Sequence, residues 1–347
     1  MKIRVTLAAV SSLLAVLLYA PMALMAEPPA NAATSAPASQ PASRPAIVEL
    51  TFLHINDVHG QMQSRTVKGK SVGGYARLST LVDQIRHDSK SQRVFLVHAG
   101  DEFSQGDALT RATLGAANFE IFNYLKFDAF TPGNGDYYDG VDVLQERIKQ
   151  AGFPVLTANI THRQTGEVVG RSYVIEQAGP VKVAILGLCF IHELHPSSWT
   201  LQMADAQETA AALVPLLRKR ADVVVALTHM GVDEDVALAR KVGGIDLIIG
   251  GHSHTRLPQG KIVKGPAGSV MIAQAHEQLN VLGCVKMTLE LKDGHYVVKA
   301  VHASLIPLDA KIKEDPRIKA MIAKMSQKGW MPTGQPAGQP VLQGVGK

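Results

Sequence analysis

Apolar and polar positions fall in blocks along this chain, and the spacing changes from block to block. "VELTFLHIND" is a short apolar run closing on polar residues, the pattern of a buried strand. In "YARLSTLVDQIRHD", Leu78, Leu81, Val82 and Ile85 recur at i, i+3, i+4 and i+7, which gives a helix one apolar face. "RVFLVHAG" predicts a second strand. A helix around 116–126 follows, then the strand "FDAFTP", the helix "VDVLQERIKQ" and the strand "FPVLTAN". "YVIEQAGPVKVAILGL" predicts two strands about Gly179-Pro180. The strands "ADVVVALTH", "GIDLIIGGHSH" and "SVMIAQA" come next, and "VLGCVKMTLELKDGHYVVKAVHASL" predicts a hairpin turning at Asp293-Gly294. A last helix is expected over 315–328. Strands alternating with helices, with antiparallel hairpins added late, point to a layered α/β architecture with sheets inside and helices outside.

Both ends break this pattern. Residues 1–32 combine a short basic start, an apolar run and small residues with Ala30-Asn31-Ala32 as a cleavage site, the pattern of a secretory signal peptide. The alternative is an uncleaved anchor, since residues 5–26 almost span a bilayer, but Ser11, Ser12 and Pro21 weaken a span. Residues 33–46 read as a flexible Pro/Ala/Ser leader, 47–329 as one body without internal repeats, and 330–347 as a Pro/Gly-rich tail. A periplasmic or secreted location is expected, with no stable membrane association after cleavage. Cys189 and Cys284 sit in apolar runs and read as buried strand residues; export permits a disulfide, but the sequence does not bring the two together.

The charge adds little. At a formal +5 the chain has no dense Lys/Arg run, so nucleic acid is not an expected partner, and no G-x-S-x-G elbow supports a serine hydrolase. The oligomeric state is not legible.

Chemistry gathers where apolar strands stop. "LHINDVHG" ends in Asp57 and His59, "FLVHAGD" in Asp101, "DAFTPGN" in Asn134, "VVVALTHMG" in His229, and "LIIGGHSH" in His252 and His254. In α/β sheets that carboxyl edge is where ligands and catalytic groups sit. Residues two apart on an extended chain share a side, so D-x-H and H-x-H can each converge. The set offers N and O donors without thiolate, which suits Mn, Zn, Fe or Co and excludes a Cys-type structural zinc site. Seven donors are too many for one ion with an open position, but fit two ions about 3.5–4 Å apart that share a carboxylate.

These motifs, with the text "GNGDYYDGVDVLQERIKQAGFPVLTANI", resemble the calcineurin-like metallophosphatases, in their 5′-nucleotidase and UDP-sugar hydrolase branch. The resemblance spans residues 49–328. It implies a four-layer α/β/β/α sandwich and two divalent metal ions as cofactors. Asp57, His59 and His254 would hold one ion, Asn134, His229 and His252 the other, with Asp101 bridging. It further implies an exported phosphoesterase that acts on a small-molecule phosphate ester, nucleotide-type or activated, by direct attack of a metal-bridging hydroxide, with a place in nucleotide catabolism. Asn134, Asp136 and Tyr137 are the expected substrate contacts.

The chain departs from the family pattern at Gly135, where the loop usually carries a histidine that protonates the leaving oxygen. A positioned acid contributes about 10²–10⁴-fold in rate. Asp136, ionised beside two cations, would be a poor donor. His192 and His276 are the candidate replacements among the catalytic residues Asp101, Asn134, His192 and His276, with His195 and His98 also considered. Family nucleotidases also carry a further domain that holds the nucleoside base between aromatic rings; this chain ends at Lys347. A metal-binding module without turnover, or a hydrolase for a sulfur-containing or cyclic diester, are the competing expectations.

Overall fold

The computed structural model describes residues 44–103 and 105–332, so the expected signal peptide, residues 33–43 of the leader and residues 333–347 of the tail lie outside the described residues. One sheet has five strands in the order β15 (His295–Pro307), β14 (Val281–Lys292), β1 (Ile47–Ile55), β4 (Arg93–His98), β5 (Ala129–Phe130). A second has six, in the order β12 (Lys261–Gly265), β13 (Gly268–Ala273), β11 (Leu247–Ile249), β10 (Val223–His229), β8 (Val181–Cys189), β7 (Tyr173–Ala178). Two small pairs, β2 (Arg65–Val67) with β3 (Lys70–Val72) and β6 (Ile160–His162) with β9 (Leu201–Met203), lie in the connections. The helices are α1 (Tyr75–Asp88), α2 (Ala108–Ala112), α3 (Ala116–Leu125), α4 (Val141–Gln150), α5 (Ala206–Arg218), α6 (Val232–Lys241) and α7 (Pro316–Met325). Among the described residues no helix is long and apolar enough to cross a membrane.

Side chains alternate faces along a strand, and this sorts the core into three slabs. On β1, Val48, Leu50 and Phe52 face the second sheet, while Leu53 and Ile55 join the helical side with α1, α3, α4 and α7. On β10, Val223, Val225 and Leu227 meet the first sheet, while Val224 and Ala226 pack with α5 and α6. Helices, sheet, sheet and helices therefore stack as four layers, the expected α/β/β/α sandwich. Strands apolar on both faces read as near-continuous apolar runs, as buried parallel strands do.

Parallel pairing sets the geometry of the site. β1, β4 and β5 run parallel in one sheet, and β8, β10, β11 and β13 in the other. The carboxyl ends of several strands thus open on one edge of each sheet.

Several elements differ from expectation. "FPVLTAN" forms single bridges, Phe130 with Val155 and Leu156 with Arg171, rather than a strand; Pro154 has no N–H to offer a ladder. β5 is only two residues long, and α5 and α6 were not read from the sequence. The packed body begins earlier than Ile47, because Arg44 Nη1 reaches Gly294 O and Tyr296 Oη donates to Pro45 O. It also extends to Trp330, which packs on the core assigned to α7. Cys189 and Cys284 are free and buried.

Candidate metal centre

Each sheet contributes ligands through loops in a backbone conformation that side chains seldom adopt. Asp57, His59, Asp101, His252 and His254 all have φ between 49° and 78°. Such left-handed positions cost on the order of 1–3 kcal/mol each and persist where the surroundings over-determine them. Here the surroundings are backbone hydrogen bonds between the loops: Asp57 N–H to Gly100 O at 2.8 Å and His59 N–H to Asp101 O at 2.9 Å. Glycine is required at 133, where a Cβ would overlap Asp101 Oδ1 and crowd His229.

The side chains converge. His254 Nε2 lies 3.3 Å from Asp57 Oδ1 and 3.1 Å from His59 Nε2. His229 Nε2 lies 3.4 Å from Asp101 Oδ1 and 3.9 Å from Asp57 Oδ1. Two donor triads result, Asp57–His59–His254 and Asp57–Asp101–His229, with ligand atoms in each within 4.8 Å of one another. Asp57 belongs to both triads, and Asp101, which the resemblance implies as the bridge, belongs to one of them. Asp101 Oδ1 also accepts from the Gly135 N–H at 2.7 Å. Asn134 lies beside Asp101 between Gly133 and Gly135, and the His252 ring meets that of His229 edge-on at 5.2 Å.

The hydrogen bonds show what these groups lack. His229 Nδ1 lies 2.7 Å from Ala99 O, so Nδ1 carries the hydrogen and Nε2 faces the carboxylates. Asn134 Nδ2 donates to Tyr138 Oη at 2.9 Å, and its Oδ1 has no hydrogen-bond partner. Asn134 Oδ1, His229 Nε2 and His59 Nδ1 are buried atoms without a hydrogen-bond partner. Buried polar atoms normally find partners. The N and O atoms that the two triads each bring within 4.8 Å of one another form a donor set that fits borderline divalent ions.

The electrostatics agree with a site built for positive charge. Burial opposes the charge of Asp101, but His229 and the Gly135 N–H hold its carboxyl below the usual range. Burial works against the His229 imidazolium as well, yet Asp101 and Asp57 push it up to about 10.

The other expected site residues fall outside the cluster of ligands. Asp136 is fully buried, and its carboxylate accepts the backbone N–H groups of Asp101, Glu102, Phe103 and Gly133 at 2.8–3.1 Å. It clamps the two loops and does not face substrate, a correction to its expected role. Without metal ions, burial and then Asp101 push its pKa up to about 7, against the pull of the backbone N–H groups it accepts. Tyr137 is likewise corrected: it lies fully buried in the helical-side core. His98 is enclosed by Phe122, Phe127 and Phe130, with Nε2 2.9 Å from Glu102 Oε2, and cannot act as a displaced acid. His192 is exposed at the rim beyond β8, stacked on Tyr138. His276 follows β13, has φ 61°, places a buried Nδ1 without a hydrogen bond 4.0 Å from Glu277 Oε1, and its carbonyl accepts from Asn56 Nδ2.

Two supporting residues, Asn56 and Glu277, escaped the sequence reading, and a third, Tyr138, reads with Tyr137 as packing or as lining the substrate path rather than as a partner of Asn134. Asn56 Nδ2 also donates to Asp57 Oδ2 at 2.7 Å, Glu277 Oε2 lies 2.8 Å from His254 Nδ1, and Tyr138 orients Asn134. Only Asn56 carried a signal, its position beside Asp57 at a strand end.

Comparison with known proteins places this arrangement. The chain is 32% identical over 306 residues to human 5′-nucleotidase, covering 80% of this chain and 52% of that protein. It is 29% identical over 308 residues to the trifunctional nucleotide phosphoesterase protein YfkN of Bacillus subtilis, covering 78% of this chain and 20% of that one. Among solved structures, a 5′-nucleotidase precursor from Thermus thermophilus superposes with a TM-score of 0.73 at 29% identity, over 80% of this chain and 58% of that chain. The chain spans about half the length of the curated 5′-nucleotidases it matches. The Calcineurin-like phosphoesterase family matches residues 50–256. Because that span covers more than half of the chain and carries both donor triads, this chain belongs to the calcineurin-like phosphoesterase family.

Proposed function

We propose that this chain is an exported, metal-dependent phosphoesterase of 5′-nucleotidase type, acting on small phosphate esters. The observation that carries the reading is the convergence of Asp57, His59, Asp101, His229 and His254 around unpartnered lone pairs. The similarity to 5′-nucleotidases supports nucleotide-type substrates, and the pattern of residues 1–32 supports export.

Asp57, His59, Asp101, Asn134, His229, His252 and His254 would hold two divalent ions. When bound, such ions supply Lewis-acid stabilisation of the phosphoryl charge and lower the pKa of a water molecule. The chain's own contribution is positioning: Asp136 locks the Asp101 and Asn134 loops together, and Tyr138 holds the Asn134 amide through its Nδ2. At Gly135 the chain offers the leaving oxygen no side-chain donor, so esters with good leaving groups suffer least.

Gly135 lies in a right-handed 3-10 turn, and its φ is not positive, so its backbone accepts an L side chain. Gly135→His should raise turnover of AMP by roughly 10²-fold and that of 4-nitrophenyl phosphate by much less. An unmodified chain that hydrolyses AMP as fast as the activated ester, with no gain in the variant, would refute the handicap. A chain that binds Mn²⁺ but turns over neither ester would instead be the metal-binding module, the reading that Gly135 itself favours.

A further inference from the structure

The turn that presents Asn134 also places Tyr138 near Gly135. Tyr138 N–H donates to Gly135 O at 3.1 Å, and residues three apart on a 3-10 turn eclipse one another. Tyr138 therefore lies one turn beyond Gly135 on the same side of the turn. Its ring is flanked by two imidazoles, His192 stacked at 6.0 Å between centroids and 17°, and His195 at 4.7 Å and 35°. Phe190 meets His192 edge-on at 5.0 Å and lies 5.2 Å from the ring of His252. Ring contacts thus run unbroken from a candidate metal ligand out to an exposed histidine.

The two imidazoles differ in how they are held. His195 Nδ1 accepts from Ser197 N–H at 3.3 Å and sits 2.7 Å from Ser197 Oγ, which anchors that ring. His192 has no such tie among the described residues, and its outer face is open to solvent. A flat group entering beside Asn134 finds there a ready-made stack to extend. Offset stacking of aromatic rings is favourable beyond the area it buries.

We propose that Tyr138, His192 and His195 form a leaving-group subsite, and that it selects phosphate esters whose leaving group is planar and aromatic. The proposal rests on the phosphoesterase reading of the metal centre. A second observation agrees with it: aryl oxides are good leaving groups, which least need the proton donor that Gly135 lacks.

The test compares phenylphosphonate with methylphosphonate by calorimetry on the Mn²⁺-loaded chain. Both carry the same phosphoryl head and neither can be hydrolysed at the carbon–phosphorus bond, so the result does not depend on turnover. The phenyl compound should bind roughly 3- to 10-fold more tightly. His192→Ala should bring that ratio close to one, and His192→Phe, which keeps a flat ring, should retain it. Equal affinities in the unmodified chain, a preference that survives His192→Ala, or binding of neither phosphonate would overturn the proposal. A preference that vanishes with His192→Ala in a chain without turnover would leave the subsite standing and remove the hydrolase reading.

Discussion

Glu277 Oε2 lies 2.8 Å from His254 Nδ1, and this fixes the imidazole with Nε2 turned to Asp57 and His59. Carboxylates in this position orient metal-binding histidines and strengthen them as ligands, at a cost of about 10–100-fold in metal affinity when removed. Glu277→Ala should weaken Mn²⁺ binding by that factor in a direct titration, while Glu277→Gln, which can still accept the hydrogen bond, should lose less. An Ala variant with unaltered affinity would show that the contact does not position His254. At this scale the candidate ligands were legible because Asp57, His59, Asp101, Asn134, His229, His252 and His254 each close an apolar run; of these, Asp57, His59, Asp101, His229 and His254 fall in the two donor triads. Glu277 and Tyr138 were not assigned these tasks, because their partners His254 and Asn134 are met through space. The same holds for Asp136: its sequence position beside Asn134 suggested substrate, but its burial and four backbone partners make it a clamp.

Among the elements, α7 shows how a local signal becomes a tertiary tie. Asp315 caps the helix by accepting from Arg317 N–H at 2.8 Å, and it also accepts from Ser79 Oγ on α1 at 2.6 Å. Asp315→Ala should cost about 1–2 kcal/mol, read as a lowered denaturant midpoint. The Arg317 guanidinium and the Ser79 hydroxyl outweigh burial and bring the Asp315 carboxyl down to about 2. Because the folded value is below the ordinary 3.8, this contribution is present above pH 3.8 and is lost as pH falls through about 2. The Ala variant should therefore approach the parent chain in acid; a stability gap as large at pH 2 as at pH 5 would contradict that assignment. The sequence expected α7 over 315–328, and the helix occupies Pro316–Met325 with Asp315 as its cap. α1 matched its 3.6-residue spacing at Tyr75–Asp88. α5 was missed, and it carries Pro215 within its length, a residue that ordinarily argues against a helix interior.

Across the whole molecule, three apolar slabs hold two sheets and two helical layers in a stack, and the parallel strands of each sheet deliver the ligands to one centre. The layered class was legible from alternation, because strands apolar on both faces need cover on both faces. The order of strands within each sheet was not, since β1 pairs with β14 more than 200 residues later in the chain, and no local spacing encodes such a partner. Metal-dependent ester hydrolysis is what this stack of layers is proposed to support at its centre. The most direct measurement is the hydrolysis rate of 4-nitrophenyl phosphate by the metal-stripped chain before and after Mn²⁺ is restored, beside Asp57→Asn. Because Asp57 is common to both donor triads, turnover should appear only with Mn²⁺ and fall by at least about 10²-fold in the variant. Equal rates with and without metal, or an Asp57→Asn chain as active as the parent, would contradict it.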